Sequence, residues 1–176
     1  MLGASMVCSM FLIRDEQILE NSMAHTKKGD YLFDDPVSSQ SLGRISPQCG
    51  RRADALKLWL TWLDIGSEGF GLRVDHCMDV AEYIANLAQS LDEVELISHQ
   101  FTNVCIRFTP KEDETPEEGD SRVRKARNKL EQDGTAMVID SVLDGRLVIR
   151  FAAAHPSITK DSVEEFLSNL VNADRT

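Results

Sequence analysis

Few residues in this chain of 176 have types and spacings that chemistry demands. Four histidines (His25, His76, His99, His155) and four cysteines (Cys8, Cys49, Cys77, Cys105) are scattered along it. Neither set shows the HExxH or CxxC spacing that gathers ligands around zinc, so no metal site is expected. His99 and Cys105 are near in sequence, but a thiol–imidazole pair is defined by space, and a cysteine within VCIRF is more often core. The glycine-rich stretch 66–71 (GSEGFG) is expected to be a turn between two helices, and no P-loop lysine motif occurs. Arg150 ends an apolar run just before AAAHP. It is either a surface strand end or an anion clamp, because a guanidinium grips a carboxylate with two parallel hydrogen bonds.

The elements that must carry these residues follow from periodicity. Residues 5–13 (SMVCSMFLI) are apolar almost throughout, as a strand covered on both faces requires. A short helix is expected over 14–21, and 34–48 reads as a long Ser-, Pro- and Gly-rich loop. Residues 53–65 read as a helix bearing Leu56, Trp59, Leu60 and Leu63. A second helix over 72–91 steps through Cys77, Ala81, Ile84, Ala88 and Leu91, with Asp75, Asp79, Glu82 and Asn86 on its other side. Strands are expected over 94–98 and 103–109, then an acidic solvated loop over 110–120 (PKEDETPEEGD). A polar helix over 122–133 precedes strands 135–142 and 146–151, joined at an Asp144-Gly145 hairpin signal. Thr159 is the expected N-cap of a last helix that buries Val163, Phe166, Leu167, Leu170 and Val171. From about residue 71 onward the order is that of a compact α+β unit. The opening apolar strand has no partner strand nearby, which suggests a fragment or one half of a split protein.

Composition sets outer bounds. Hydrophobic residues are 42 % of the chain, enough for a core, and the formal net charge is -10. So acidic a chain suits neither nucleic acid nor an anionic membrane surface as partner. No apolar run is long enough to cross a bilayer, and the unpaired, widely spaced cysteines fit a reducing, cytoplasmic setting.

One further pattern is more specific. Tyr31-Leu32-Phe33, a loop, and then residues 48–62 (QCGRRADALKLWLTW) resemble the glutamate and cysteine sulfinate decarboxylases, of the pyridoxal-phosphate-dependent group II amino-acid decarboxylase family. In that family YLF, a mobile loop and QCGR-x-x-D-x-x-K-x-W-L-x-W occur in this order. Gly66 and Gly69 match the turn that follows. Thr102-Asn103-Val104-Cys105 matches a TNVCF-like strand, and Arg150 with Pro156 matches the family's closing R-x-x-x-x-x-P. The apolar strand with Cys8-Ser9 resembles the segment just after the family's cofactor lysine.

The resemblance implies an α/β architecture: the C-terminal part of an aspartate-aminotransferase-like fold. Residues 1–70 would be a remnant of the large cofactor-binding domain, with a mobile loop at 34–47, and 71–176 the small α+β domain. It implies a homodimer in which Gln48, Cys49, Gly50 and Arg51 adjoin the partner's active site. It implies pyridoxal 5'-phosphate held by a lysine, with the cofactor ring as electron sink when the α-carboxylate leaves. Arg150 would hold a carboxylate of a small acidic amino acid (glutamate, aspartate or cysteine sulfinate). Two departures stand out. The family lysine would fall immediately before Met1, since Lys27, Lys28 and Lys57 do not match it, so no Schiff-base residue is expected here and the chain alone should be inactive. The loop also lacks the tyrosine that serves the family as proton donor, and Ser38 has too high a pKa and too short a reach to replace it. A non-catalytic protein that pairs with a longer decarboxylase is the alternative.

Overall fold

In the computed structural model, residues 12–15, 17–22 and 53–175 are described. The chain forms two compact units, Gly3–Asp64 and, together with Met1–Leu2, Ile65–Thr176. In the first unit the described elements are helix α1 (Gln17–Ser22) and the opening turns of α2 (Asp54–Gln89). Leu12 and Ile13 carry no regular structure and Leu12 is almost fully exposed, so the expected strand does not extend over them. The rest of that strand, and the expected loop 34–48, lie outside the described residues.

The span of α2 is two helices that meet at a kink within the glycine-rich stretch, as expected, but the break is a single residue and not the whole stretch. Only Gly66 departs from helical geometry, with φ 66° and ψ 177°. That positive φ is cheap for glycine alone, so a single residue makes the kink while Gly69 and Gly71 stay helical. On the near side of the kink Leu56, Trp59, Leu60, Trp62 and Leu63 are all exposed. On the far side Cys77, Val80, Ala81, Ile84, Ala85 and Ala88 are buried, the stripe the periodicity predicts.

The second unit is a four-stranded antiparallel sheet with helices on one face. Strands β1 (Val94–Gln100), β2 (Asn103–Phe108), β3 (Ile139–Leu143) and β4 (Arg146–Ala152) lie in the order β1-β2-β4-β3. Period-two alternation sends Val104, Ile106, Phe108, Leu147 and Ile149 into one core with α2, α3 (Pro116–Gln132) and α4 (Lys160–Asp174). The β3–β4 turn has Asp144 at φ 50° and Gly145 at φ 76°, the positive pair that a two-residue hairpin with native twist needs. Residues 135–138, expected in β3, precede it. Val171 is half-buried at the rim of the stripe of α4.

Only the first half of the acidic run is a solvated loop. Its second half is the start of α3, six residues before the expected helix. Thr115 accepts from the Glu118 N–H at 3.3 Å while Glu118 accepts from the Thr115 N–H at 2.9 Å, and Pro116 takes the first helical position. This reciprocal cap, readable in Thr-Pro-Glu-Glu, is worth about 1 kcal/mol. Two of the acids anchor the fold. Asp120 accepts from Arg107 at 2.6 Å and from the Leu147 N–H at 2.9 Å, and Arg107, only 5 % exposed, also donates to the Leu147 carbonyl at 2.6 Å. The β2–β4 register ends at Ile106↔Ile149, and this ion pair takes the peptide groups of Leu147 just beyond it. Glu114 and Asp174 flank Arg122 at 2.8 and 2.7 Å, with the guanidinium 5.2 Å from the centre of the Phe108 ring.

These contacts shift the acids. The Arg107 hydrogen bond outweighs desolvation and holds Asp120 below the usual carboxylate range; the Arg122 hydrogen bond does the same for Asp174. Burial alone would raise Glu114, but the Arg122 bonds and the Lys111 amide together pull it down. Each group, lowered on folding, contributes stability that is complete above its ordinary value of about 4 and is lost as pH falls through the folded value. The thermal midpoint of the Ile65–Thr176 unit should therefore hold from pH 7 to about 5 and fall steeply below about 4. Circular dichroism against pH reads it, and Arg122→Met should flatten the acid limb. A second expectation concerns Gly119, where an added Cβ would stand 2.3 Å from Arg107 Nη2. Gly119→Ala would add about 0.5–1 kcal/mol to an open helix. Here it should cost about 1–3 kcal/mol by displacing a clamped guanidinium. Urea unfolding gives the sign, and a gain in stability would mean that Arg107 moves aside freely.

Candidate functional site

Arg150 lies near the end of β4, between Cys105 of β2 and Ile139 of β3 as its register partners. Its neighbours Ile149 and Phe151 point into the helix-covered core, so alternation turns Arg150 to the opposite face, where Val148 and Cys105 are buried and Arg150 itself is exposed. It is exposed, and among the described residues no carboxylate pairs with it. The other arginines that hold the domain do have such partners: Arg107 with Asp120, Arg122 with Glu114 and Asp174, and Arg127 with Asp140. Arg73, Arg124 and Arg146 make no ion pair either among the described residues, so what sets Arg150 apart is its place at a strand end, where a fork of donors can grip a carboxylate.

The β1–β2 hairpin fixes the backbone that leaves Arg150. Phe101 at its tip has φ 51°, a costly conformation for a bulky side chain, and is exposed. The His99 ring donates to the Phe101 carbonyl at 3.0 Å. Thr102 is buried, and its carbonyl accepts from the Ala153 N–H at 2.8 Å. The strained turn is thereby tied to the segment three residues past Arg150. The Thr102-Asn103 step carried a signal for this segment, but the sequence did not announce the carbonyl's role.

Other candidates separate. His99 is the register partner of Val104 and Cys105 that of Ser98, so the histidine and the thiol lie on opposite faces. Cys77 and Cys105 are free and buried. His76 donates to the Ile158 carbonyl at 2.8 Å, and His155 pairs with Ser157. No cluster of metal-ligating side chains occurs among the described residues. An open polar depression of about 390 Å³ lies beside the acidic turn, lined by residues that include Lys111, Glu114 and Lys125, and Arg150 is not part of it. Gln48, Cys49, Gly50 and Arg51, expected at a subunit interface, lie outside the described residues. No described helix is long and apolar enough to cross a membrane.

The Ile65–Thr176 unit is thus an antiparallel sheet backed by helices, with Arg150 on the other face. Comparison with known proteins makes this specific. The pyridoxal-dependent decarboxylase conserved domain matches residues 1–109, and the chain belongs to that family. Rat (Rattus norvegicus) cysteine sulfinic acid decarboxylase is 35 % identical over 114 residues, which cover 62 % of this chain and 23 % of the relative. The chain thus spans about a quarter of that relative's length in the match. The crystal structure of mouse CSAD in apo form superposes with a TM-score of 0.78 at 23 % identity, over 90 % of this chain and 34 % of that one. The structure of Oryza sativa TDC with PLP and tryptamine gives 0.67 at 24 % identity, over 74 % and 28 %. The fold is the C-terminal part of the aspartate-aminotransferase-like architecture.

Pyridoxal phosphate is the cofactor of this family. The described lysines do not fit it. Lys57, Lys111, Lys125, Lys129 and Lys160 are all exposed, and Lys57 is paired with Asp54 at 2.9 Å while Lys160 lies 4.9 Å from the centre of the Tyr83 ring. An amine that forms a Schiff base needs a desolvated or charge-tuned enclosure, which none of them has. The burial of Cys105 carries a test. In the native chain Cys77 and Cys105 should resist iodoacetamide and react only on unfolding, as peptide mapping will show; rapid native labelling of Cys105 would restore a thiol function to consideration.

Proposed function

We propose that this chain is the C-terminal part of a decarboxylase that removes the α-carboxylate of an acidic amino acid, with Arg150 as the residue that holds a substrate carboxylate. The observation that carries the reading is the exposed guanidinium near the end of β4, with no carboxylate paired to it among the described residues. The substrate class rests on the 35 % identity to cysteine sulfinic acid decarboxylase and on the QCGR-to-tryptophan motif. Glutamate, aspartate and cysteine sulfinate share the second acidic group, and Arg150 alone does not separate them. The family match ends at residue 109, so the role of Arg150 draws on the Arg150–Pro156 motif and its place on the sheet.

In this reading residues 1–70 belong to the large domain and 71–176 form the small one. The loop 34–47 with Gln48, Cys49, Gly50 and Arg51 covers the site of the other subunit in a cytoplasmic homodimer. Arg150 binds and orients the substrate: two parallel N–H donors fix the plane of a carboxylate, and the Thr102–Ala153 tie keeps the strand end from drifting. The Schiff-base lysine comes from elsewhere in the enzyme, and the chain by itself is inactive. A second reading, a non-catalytic partner of a longer decarboxylase, draws on the exposed stripe of Leu56, Trp59, Leu60 and Leu63.

The test is kinetic, in the pyridoxal-phosphate-loaded enzyme that contains this chain. Arg150→Ala should lower kcat/KM by at least thirtyfold, about 2 kcal/mol. Arg150→Lys, which keeps the charge and loses the fork, should fall between. Near-normal kcat/KM in Arg150→Ala would remove the assigned role.

A further inference from the structure

Among the described residues, the immediate surroundings of Arg150 on its face of the sheet hold no acid. Cys105 and Ile139 stand directly across from it, Val148 and Ala152 flank it along β4, and Ser98 lies beyond Cys105. Residues so opposed have Cβ atoms about 4.5–5.5 Å apart. Yet the chain has 29 aspartates and glutamates. The acid on β3, Asp140, is one residue from Ile139, so it points to the helix-covered face, where Arg127 approaches it at 3.5 Å. Edge strands are commonly guarded by charged side chains, but on this edge the place opposite Arg150 is taken by an isoleucine that is 57 % exposed.

We propose that Ile139 is a positioning residue for Arg150. The inference rests on the reading of Arg150 as the carboxylate-holding residue. Ile139 acts by keeping the cross-strand place free of a carboxylate, so the substrate meets no internal competitor there. An acid at this position would form the ion pair that the substrate is meant to form.

The test uses Ile139→Glu, Ile139→Gln and Arg150→Gln, and Ile139→Glu combined with Arg150→Gln, in the pyridoxal-phosphate-loaded enzyme that contains this chain. Initial rates are measured with cysteine sulfinate and with glutamate. Ile139→Glu should raise KM at least about fivefold with kcat reduced far less, and high salt should restore part of the loss. Ile139→Gln, equally polar but uncharged, should raise KM about twofold or less and serves as the folding control. In the Arg150→Gln background Ile139→Glu should add no further loss. A readout independent of turnover uses the 176-residue chain: an NMR pH titration should find the introduced carboxyl lower in pKa with Arg150 present than with Arg150→Gln. Equal KM values for Ile139→Glu and Ile139→Gln, or equal carboxyl pKa values in the two backgrounds, would overturn the positioning role while Arg150→Gln still shows its own KM effect. An unchanged KM in Arg150→Gln would instead remove the carboxylate reading, and this inference with it.

Discussion

The ion pair of the buried Arg107 with the half-buried Asp120 is the constraint around which the Ile65–Thr176 unit is arranged. It stands where the β2–β4 ladder stops, and it replaces the missing strand contacts at both peptide groups of Leu147. It also binds the sheet to the first turns of α3, where Arg107 reaches the Pro116 carbonyl at 3.5 Å and lies against Gly119. Such a pair gives little net stability against an apolar replacement. Losing Asp120, however, leaves the buried Arg107 without its charge partner, at a cost toward the low end of about 3–5 kcal/mol because Asp120 itself is part-exposed. The pair therefore specifies how sheet and helix meet more than it adds to the total. The Glu114–Arg122–Asp174 bridge does related work further out, joining the turn before α3 to the end of α4.

The carboxylates of this acidic chain are placed with discrimination. Arg107 meets one and Arg122 and Arg127 two each, and these pairs hold elements together. Arg150 meets none among the described residues, although it lies on the same strand as Leu147, which the first of these pairs anchors. A flexible surface arginine would lose much side-chain freedom on binding an anion. A strand anchored three residues upstream, and tied through Thr102 three residues downstream, leaves less to lose.

Much of the second unit was legible because its signals are local. The Cys77-to-Ala88 stripe, the Asp144-Gly145 hairpin, the Thr159 cap and the β2 and β4 runs each follow from period or turn chemistry, and each is observed. The misses have physical reasons too. GSEGFG looked like a turn because glycine permits one, but permission at three positions became use at one. The acidic run looked solvated because charge density was weighed and its cap was not. Thr115-Pro116-Glu117-Glu118 carried a full N-terminal signature. The partners of Asp120 and Glu114, by contrast, are 13 and 8 residues away and meet them only through the fold.

The site was legible in a different sense. Arg150 as an isolated residue had two readings, a strand end or an anion clamp, and composition could not choose between them. The fold adds its surroundings: an exposed strand end, no acid beside it among the described residues, and an apolar neighbour on β3. That neighbour carried no chemical signal in the sequence, since an isoleucine in a strand needs no further explanation. Its meaning depends on the register Ile139↔Arg150. A slip of one residue would bring Asp140 opposite the guanidinium and exchange the faces of the whole strand. The hairpin register that Asp144 and Gly145 set is therefore also what keeps the clamp open.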